Sequence, residues 1–152
     1  MRGATKETKK YMRQYPIGSF KGIFGLNLIK DTDKTVVLTE GEFDAMAVYQ
    51  QTGFPSVSLP QGATNLPDTL LPYFDCFDKI ILWMDNDEAG ILNTSKIAEK
   101  LGLKRTYIVK HTVPKMKDAN DFLKYHPEMI KEILNNARTI PESNITRFSR
   151  LR

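Results

Sequence analysis

The sequence is poor in the residues that staple or metallate small folds. Among its 152 residues there are one cysteine, Cys76, and two histidines, His111 and His126. An intrachain disulfide is therefore impossible. A Cys-rich structural zinc site is excluded too, because it needs four nitrogen or sulfur ligands at close spacing. No apolar run approaches the roughly 18 residues of a membrane span. The opening stretch, residues 1–15, is basic but has no apolar centre, so it does not read as a secretory signal. It reads as a trimmed edge or as the sequel to an upstream targeting segment. There is no internal repeat, no low-complexity stretch and no Gly-x4-Gly-Lys-Ser/Thr loop, which excludes a P-loop motor within these residues.

What is present suits one globular domain. The chain is 41% hydrophobic and 26% charged, with a formal net charge of +4, and its length can bury a sizeable core. The pI near 9.1 fits a polyanionic partner, although many proteins share such a value. The positive charge is concentrated at the ends. Arg2, Lys6, Lys9, Lys10, Arg13, Lys21 and Lys30 face only Glu7 in the first thirty residues, and Arg147, Arg150 and Arg152 close the chain. Lys9, Lys10 and Arg13 are candidate nucleic-acid contacts; solvated tails are the plainer reading.

Residues 1–30 read as an irregular lead-in, broken by Pro16, Gly18, Gly22 and Gly25. The pattern then becomes regular. Strands are predicted at 35–39, 56–59, 79–84 and 105–109. Helices are predicted at 42–51, around 69–74, and at 88–101, 120–125 and 128–137. Phe43, Met46 and Ala47 mark the apolar face of the first of these, Ile91, Thr94, Ala98 and Leu101 that of the third, and Ile130, Ile133, Leu134 and Ala137 that of the last. Strand and helix alternate, so the expected fold class is α/β, about four largely parallel strands with helices on both faces. Trp83, Tyr73, Phe74 and Phe77 are expected to pack, Cys76 to be structural, and His111 and His126 to be loop residues.

In such sheets the working residues stand beyond the carboxyl ends of the strands. Two strands end in acids there: the first in Glu40-Gly41, the third in Asp85-Asn86-Asp87. If those strands are neighbours, three carboxylates converge. Converging carboxylates repel and raise one another's pKa, and a hard divalent ion such as Mg²⁺ or Mn²⁺ relieves this with oxygen ligands. Alternate residues of an extended segment point the same way, which suits Asp85 and Asp87 to one ion. Each acid also has a plainer use. Asp87 is a good N-cap for the helix from Glu88, and Glu40 can complement a helix dipole. After the fourth strand, Lys117-Asp118-Ala119-Asn120 adds Asp118, as a ligand, a helix cap or both. Lys115 and Lys117 are placed to meet a phosphate or simply to face solvent. Glu42 and Asp44 are second-tier acids.

The segments 36–44 and 81–90 resemble the two signature motifs of the TOPRIM (Rossmann-like) fold. Residues 117–120 resemble a further motif of bacteriophage-type primase-helicases and residues 23–29 the segment before the glutamate motif in that group, while residues 59–64 and 148–152 are similar to Twinkle-like members, the mitochondrial replicative helicase family. The likeness covers about residues 20–152. It implies a TOPRIM domain at 31–140, a remnant of a preceding primase subdomain at 1–30, and at 141–152 the start of a linker to a helicase domain that these residues do not include. It implies primer synthesis from ribonucleoside triphosphates on a single-stranded DNA template. Asp85, Asp87, Asp118 and Glu40 would hold Mg²⁺ or Mn²⁺, with Glu40 as ligand or as base. It further implies a hexameric or heptameric full-length protein and a mitochondrial location, a phage or bacterial origin remaining open. Vertebrate Twinkle proteins have degenerate acidic motifs, whereas this sequence keeps all four acids. A non-catalytic single-stranded DNA-binding scaffold and a TOPRIM nuclease or topoisomerase piece are the rival readings.

Overall fold

A computed structural model describes residues 23–60 and 65–140. Lys9, Lys10, Arg13 and the closing arginines lie outside the described residues. The elements are a 3₁₀ turn (Leu26–Leu28), β1 (Thr35–Thr39), α1 (Glu42–Thr52), β2 (Ser56–Ser58), a 3₁₀ helix (Asp68–Phe74), β3 (Lys79–Trp83), α2 (Glu88–Leu101), β4 (Thr106–Ile108), α3 (Ala119–Tyr125), a 3₁₀ turn (Pro127–Met129), α4 (Ile130–Asn135) and β5 (Arg138–Thr139). They form a five-stranded sheet in the order β2-β1-β3-β4-β5.

The first four strands are parallel, β1 pairing with both β2 and β3, and β3 with β4. This is the α/β TOPRIM-type arrangement. Both sheet faces are covered, which is why the central residues of β1, Val36–Leu38, and of β3, Ile80–Trp83, are consecutively apolar instead of alternating. Val36, Leu38, Ile80 and Leu82 pack on one face with Ile97, Ala98 and Leu101 of α2 and with Phe74. Val37, Ile81 and Trp83 pack on the other with Val48 of α1, Phe122 of α3 and Ile130, Ile133 and Leu134 of α4. Trp83 and Phe122 meet edge to face, their ring centroids 5.7 Å apart.

Three features differ from the sequence expectation. The helix predicted at 128–137 is a 3₁₀ turn, Pro127–Met129, followed by a six-residue α4. The poor helix formers Asn135 and Asn136 end it, and Arg138–Thr139 turns back as an antiparallel edge strand on β4. Tyr73 is exposed, not packed. In the stretch read as a lead-in, Ile23 and Phe24 are buried, and Phe24 bridges to Ser58.

The order places the site. From β1 the chain crosses to β2 on one side, and from β3 it crosses to β4 on the other. The carboxyl ends of β1 and β3 thus flank the point where the winding reverses, the crevice in which doubly wound sheets bind ligands.

Candidate active site

β1 and β3 lie in register with Thr39 opposite Trp83, so the residues that follow them emerge side by side. On β1, the Thr39 hydroxyl donates to the Gly41 carbonyl at 2.9 Å and fixes the turn into α1. Glu40 sits in this turn. Its Oε1 is buried and has no hydrogen-bond partner among the described residues. Burial, and then the charge of neighbouring Asp85, push its carboxyl above the usual range.

β3 delivers Asp85 and Asp87. Asp87 caps α2, its Oδ1 accepting the Gly90 N–H at 2.7 Å, so the plainer role foreseen for it is in place. Gly90 sits directly against the preceding loop. A Cβ built on it would stand 2.0 Å from the Asp85 carbonyl oxygen, a separation no real side chain shows. The loop after β4 delivers Asp118, which caps α3 by accepting the Asp121 N–H at 2.9 Å. Burial pushes the Asp118 carboxyl up.

Asp44 completes the group. The buried face of α1 is Asp44, Ala45, Ala47 and Val48; Phe43 and Met46, two of the residues taken to mark that face, are half-buried. Asp44 is therefore carried inward in the first turn of its helix. Asp44, Asp85 and Asp118 each offer a carboxylate oxygen, and the three lie within 4.8 Å of one another. Burial and the Asp118 charge push Asp44 up to about 8, although the Asn120 N–H donated to its Oδ1 at 3.0 Å opposes that shift. Glu40 and Asp87 border this compact triple. Glu42 is half-buried at the start of α1.

Lys117 reaches the acids from the α3 loop. Its Nζ is 3.6 Å from Asp85 Oδ2 and 3.9 Å from Asp87 Oδ2, and Asp85 above all raises its pKa. Lys115 is exposed on the same loop, with a left-handed backbone at φ 65°. His111 lies with its ring edge-on to Phe122 at 4.7 Å, and burial lowers its pKa. His126 is 3.8 Å from Glu128. Cys76 is exposed. An open cleft of about 650 Å³ borders Asp85 and Asn86, with Met84, Ile91, Ile108 and Arg138 in its walls.

The group fits a divalent cation. Three oxygen donors from three elements are gathered around one point, which suits a hard ion. A buried Glu40 oxygen, without a hydrogen-bond partner among the described residues, stands beside them, and like charges this close repel one another unless a cation or a proton intervenes.

The family model described as Toprim-like matches residues 37–123. A primase homolog protein of Arabidopsis thaliana is 30% identical over 88% of this chain and 45% of its own length. A DNA helicase/primase of Enterobacteria phage T3 is 32% identical over 76% of this chain and 21% of its own. A chloroplastic/mitochondrial Twinkle homolog of Arabidopsis thaliana is 30% identical over 78% and 20%. The chain thus spans less than half the length of each of these relatives. Among solved structures, the primase fragment of the bacteriophage T7 primase-helicase is 34% identical and superposes with a TM-score of 0.63 over 75% of this chain and 48% of that one.

Proposed function

The chain belongs to the Toprim-like family, and from that premise we propose that it is the metal-dependent nucleotidyl-transfer domain of a DNA primase-helicase. The observation that carries this reading is the gathering of Asp44, Asp85 and Asp118 within 4.8 Å where the sheet winding reverses. Its relatives include one named a primase homolog and one named a DNA helicase/primase, which supports template-directed RNA primer synthesis on single-stranded DNA as the reaction. In that reaction the 3′-hydroxyl oxygen of one nucleotide bonds to the α-phosphorus of an incoming ribonucleoside triphosphate, and pyrophosphate leaves.

In this reading Asp44, Asp85 and Asp118 hold Mg²⁺ or Mn²⁺, with Asp87 beside them. When bound, the ion supplies positive charge to the attacking oxygen and to the departing phosphate. Glu40 stands next to Asp85 with a free oxygen, and it either adds a ligand or accepts the hydroxyl proton. Asp87 and Asp118 also fix the starts of α2 and α3, which keeps their loops in place. The cleft beside Asp85 leaves room for a nucleotide next to the acids. Lys115 and Lys117, and the basic Lys9, Lys10 and Arg13, are the contacts this reading gives to nucleotide and template phosphates.

For the whole protein the reading extends to a helicase domain in the same full-length chain, reached through a linker that starts at 141–152, with the Toprim unit at 31–140 and a preceding primase subdomain ending in 1–30. It also extends to a hexameric or heptameric ring. The organellar Twinkle homolog supports a mitochondrial location, and the phage relative supports the alternative origin. The test is primer synthesis by the full-length protein carrying Asp85→Asn, with template, ribonucleotides and Mg²⁺ or Mn²⁺. The expected result is a loss of about a hundredfold or more, in line with removal of a central electrostatic group. Undiminished synthesis ends this reading and leaves a DNA-binding scaffold in its place.

A further inference from the structure

Lys117 is held more firmly at its backbone than its exposed side chain suggests. Its carbonyl accepts the N–H of Asn86 at 2.7 Å, the residue between the two aspartates of β3. Its own N–H donates to Asp121 Oδ2 at 2.9 Å. Both backbone groups are thus tied, the carbonyl to the loop after β3 and the N–H to the first turn of α3, and the side chain starts from a fixed point. From there its ammonium spans Asp85 and Asp87, at 3.6 and 3.9 Å. More than half of the side chain is open to solvent, so it can leave the pair at little desolvation cost.

We infer that Lys117 is a tethered counter-ion that competes with the divalent cation for the Asp85–Asp87 pair and yields it when phosphate draws the lysine away. The inference rests on the metal-site reading above. A lysine ammonium is a compact charge on a flexible stem, so it neutralises the pair without locking it. While it is there, part of the carboxylate charge is already compensated, and a cation entering alone is held more weakly than the acids by themselves would hold it. A nucleoside triphosphate offers the ammonium a second anionic partner at the same sheet edge. Its arrival frees the aspartates for the ion. Metal and triphosphate then favour each other's binding, as reciprocal linkage requires.

The experiment is a Mn²⁺ titration of the whole chain, with free Mn²⁺ read by electron paramagnetic resonance, alone and with a non-hydrolysable ribonucleoside triphosphate. Lys117→Met is expected to bind Mn²⁺ alone about two- to fivefold more tightly than the unmodified chain, the span that exposed ion pairs command. It should also gain less from the nucleotide. Lys117→Arg keeps the charge and should behave like the unmodified chain. Lys124→Met makes the same charge change away from the acids and controls for net charge. Equal or weaker Mn²⁺ binding by Lys117→Met overturns the inference while the metal site stands, provided Asp85→Asn abolishes binding. If the unmodified chain takes up no Mn²⁺, or Asp85→Asn binds it as well, the metal reading and the role of Lys117 fall together.

Discussion

Asn120 donates its backbone N–H to Asp44 Oδ1 at 3.0 Å, joining the first turn of α3 to the first turn of α1 across 76 residues of chain. The bond favours the ionised carboxylate, but burial and the charge of Asp118 outweigh it and Asp44 stands at about 8 instead of 3.8. This has a thermodynamic consequence. Between those two values the folded state holds a proton that the unfolded state has released, so the contribution of Asp44 to stability is fully present below about 4 and is lost as pH rises through about 8. The slope has a ceiling of about 1.4 kcal/mol per pH unit. Asp44→Asn removes it. In urea unfolding without divalent ions, the unmodified protein should lose stability relative to Asp44→Asn between pH 5 and pH 8. Parallel pH profiles for the two proteins would contradict this account of Asp44.

Asp118 has two duties that substitution can separate. Its Oδ1 caps α3, and its charge contributes to the acidic triple. Asparagine caps as well as aspartate but carries no charge. Asp118→Asn should keep the stability of the metal-free protein or raise it, since a buried repulsion is removed, while metal binding weakens at least about tenfold, as expected on losing one carboxylate from a small oxygen site. Asp118→Ala should lose metal binding and, in addition, about 1 kcal/mol of stability. Chemical denaturation and metal titration on the two variants check this. Equal stabilities would mean that the cap contributes nothing.

The strand ends were legible because they rest on local rules. Apolar β-rich runs mark β1 and β3, and acids beyond their carboxyl ends mark the crevice. The positions of Glu40, Asp85, Asp87 and Asp118 at that edge of the sheet follow from the same rule. The compactness of Asp44 with Asp85 and Asp118 could not be read off. Apolar periodicity assigns the inward face of α1 to Phe43, Met46 and Ala47, whereas the helix turns Asp44, Ala45, Ala47 and Val48 inward. Two alanines on that face allow close approach to the sheet and α3, and a buried acid then follows from tertiary packing, to which a hydrophobic pattern is blind. β5 was missed for a similar reason. Two exposed residues, Arg138 and Thr139, carry no pattern, and only the edge of β4 makes them a strand.

Gly90 was not singled out from sequence, yet it sets the geometry of the Asp85–Asp87 loop. Any Cβ at this position collides with the Asp85 carbonyl oxygen at 2.0 Å, and backbone on both sides leaves no flexible atom to give way. Gly90→Ala should therefore displace the loop or the first turn of α2, even though alanine is the better helix former. The expected cost is about 2 kcal/mol or more, at the upper end of overpacking penalties. Asp87 should lose its cap at the same time. Guanidinium unfolding gives the first quantity. A variant as stable as the unmodified protein, with unchanged metal affinity, would show that this close approach is dispensable.

Protons and metal compete for the same oxygens, which makes metal binding itself pH-dependent. Burial and the charges of neighbouring acids hold the Asp44 and Asp118 carboxyls above their ordinary ranges, so an ion entering near neutral pH must displace at least the Asp44 proton. Affinity for Mn²⁺ should then rise by up to about tenfold per pH unit between pH 6 and pH 8, the limit for one displaced proton, and level off above that. The thermal stabilisation by a fixed Mn²⁺ concentration, which grows with the ratio of ion to dissociation constant, should follow the same course and reverse on chelation. In Asp44→Asn there is no proton to displace at that position, and the steep part of the profile should flatten. A Mn²⁺ affinity that is the same at pH 6 and pH 8 in the unmodified chain would mean that the ion does not bind at Asp44, and that the acids gathered between β1 and β3 serve some purpose other than holding a cation.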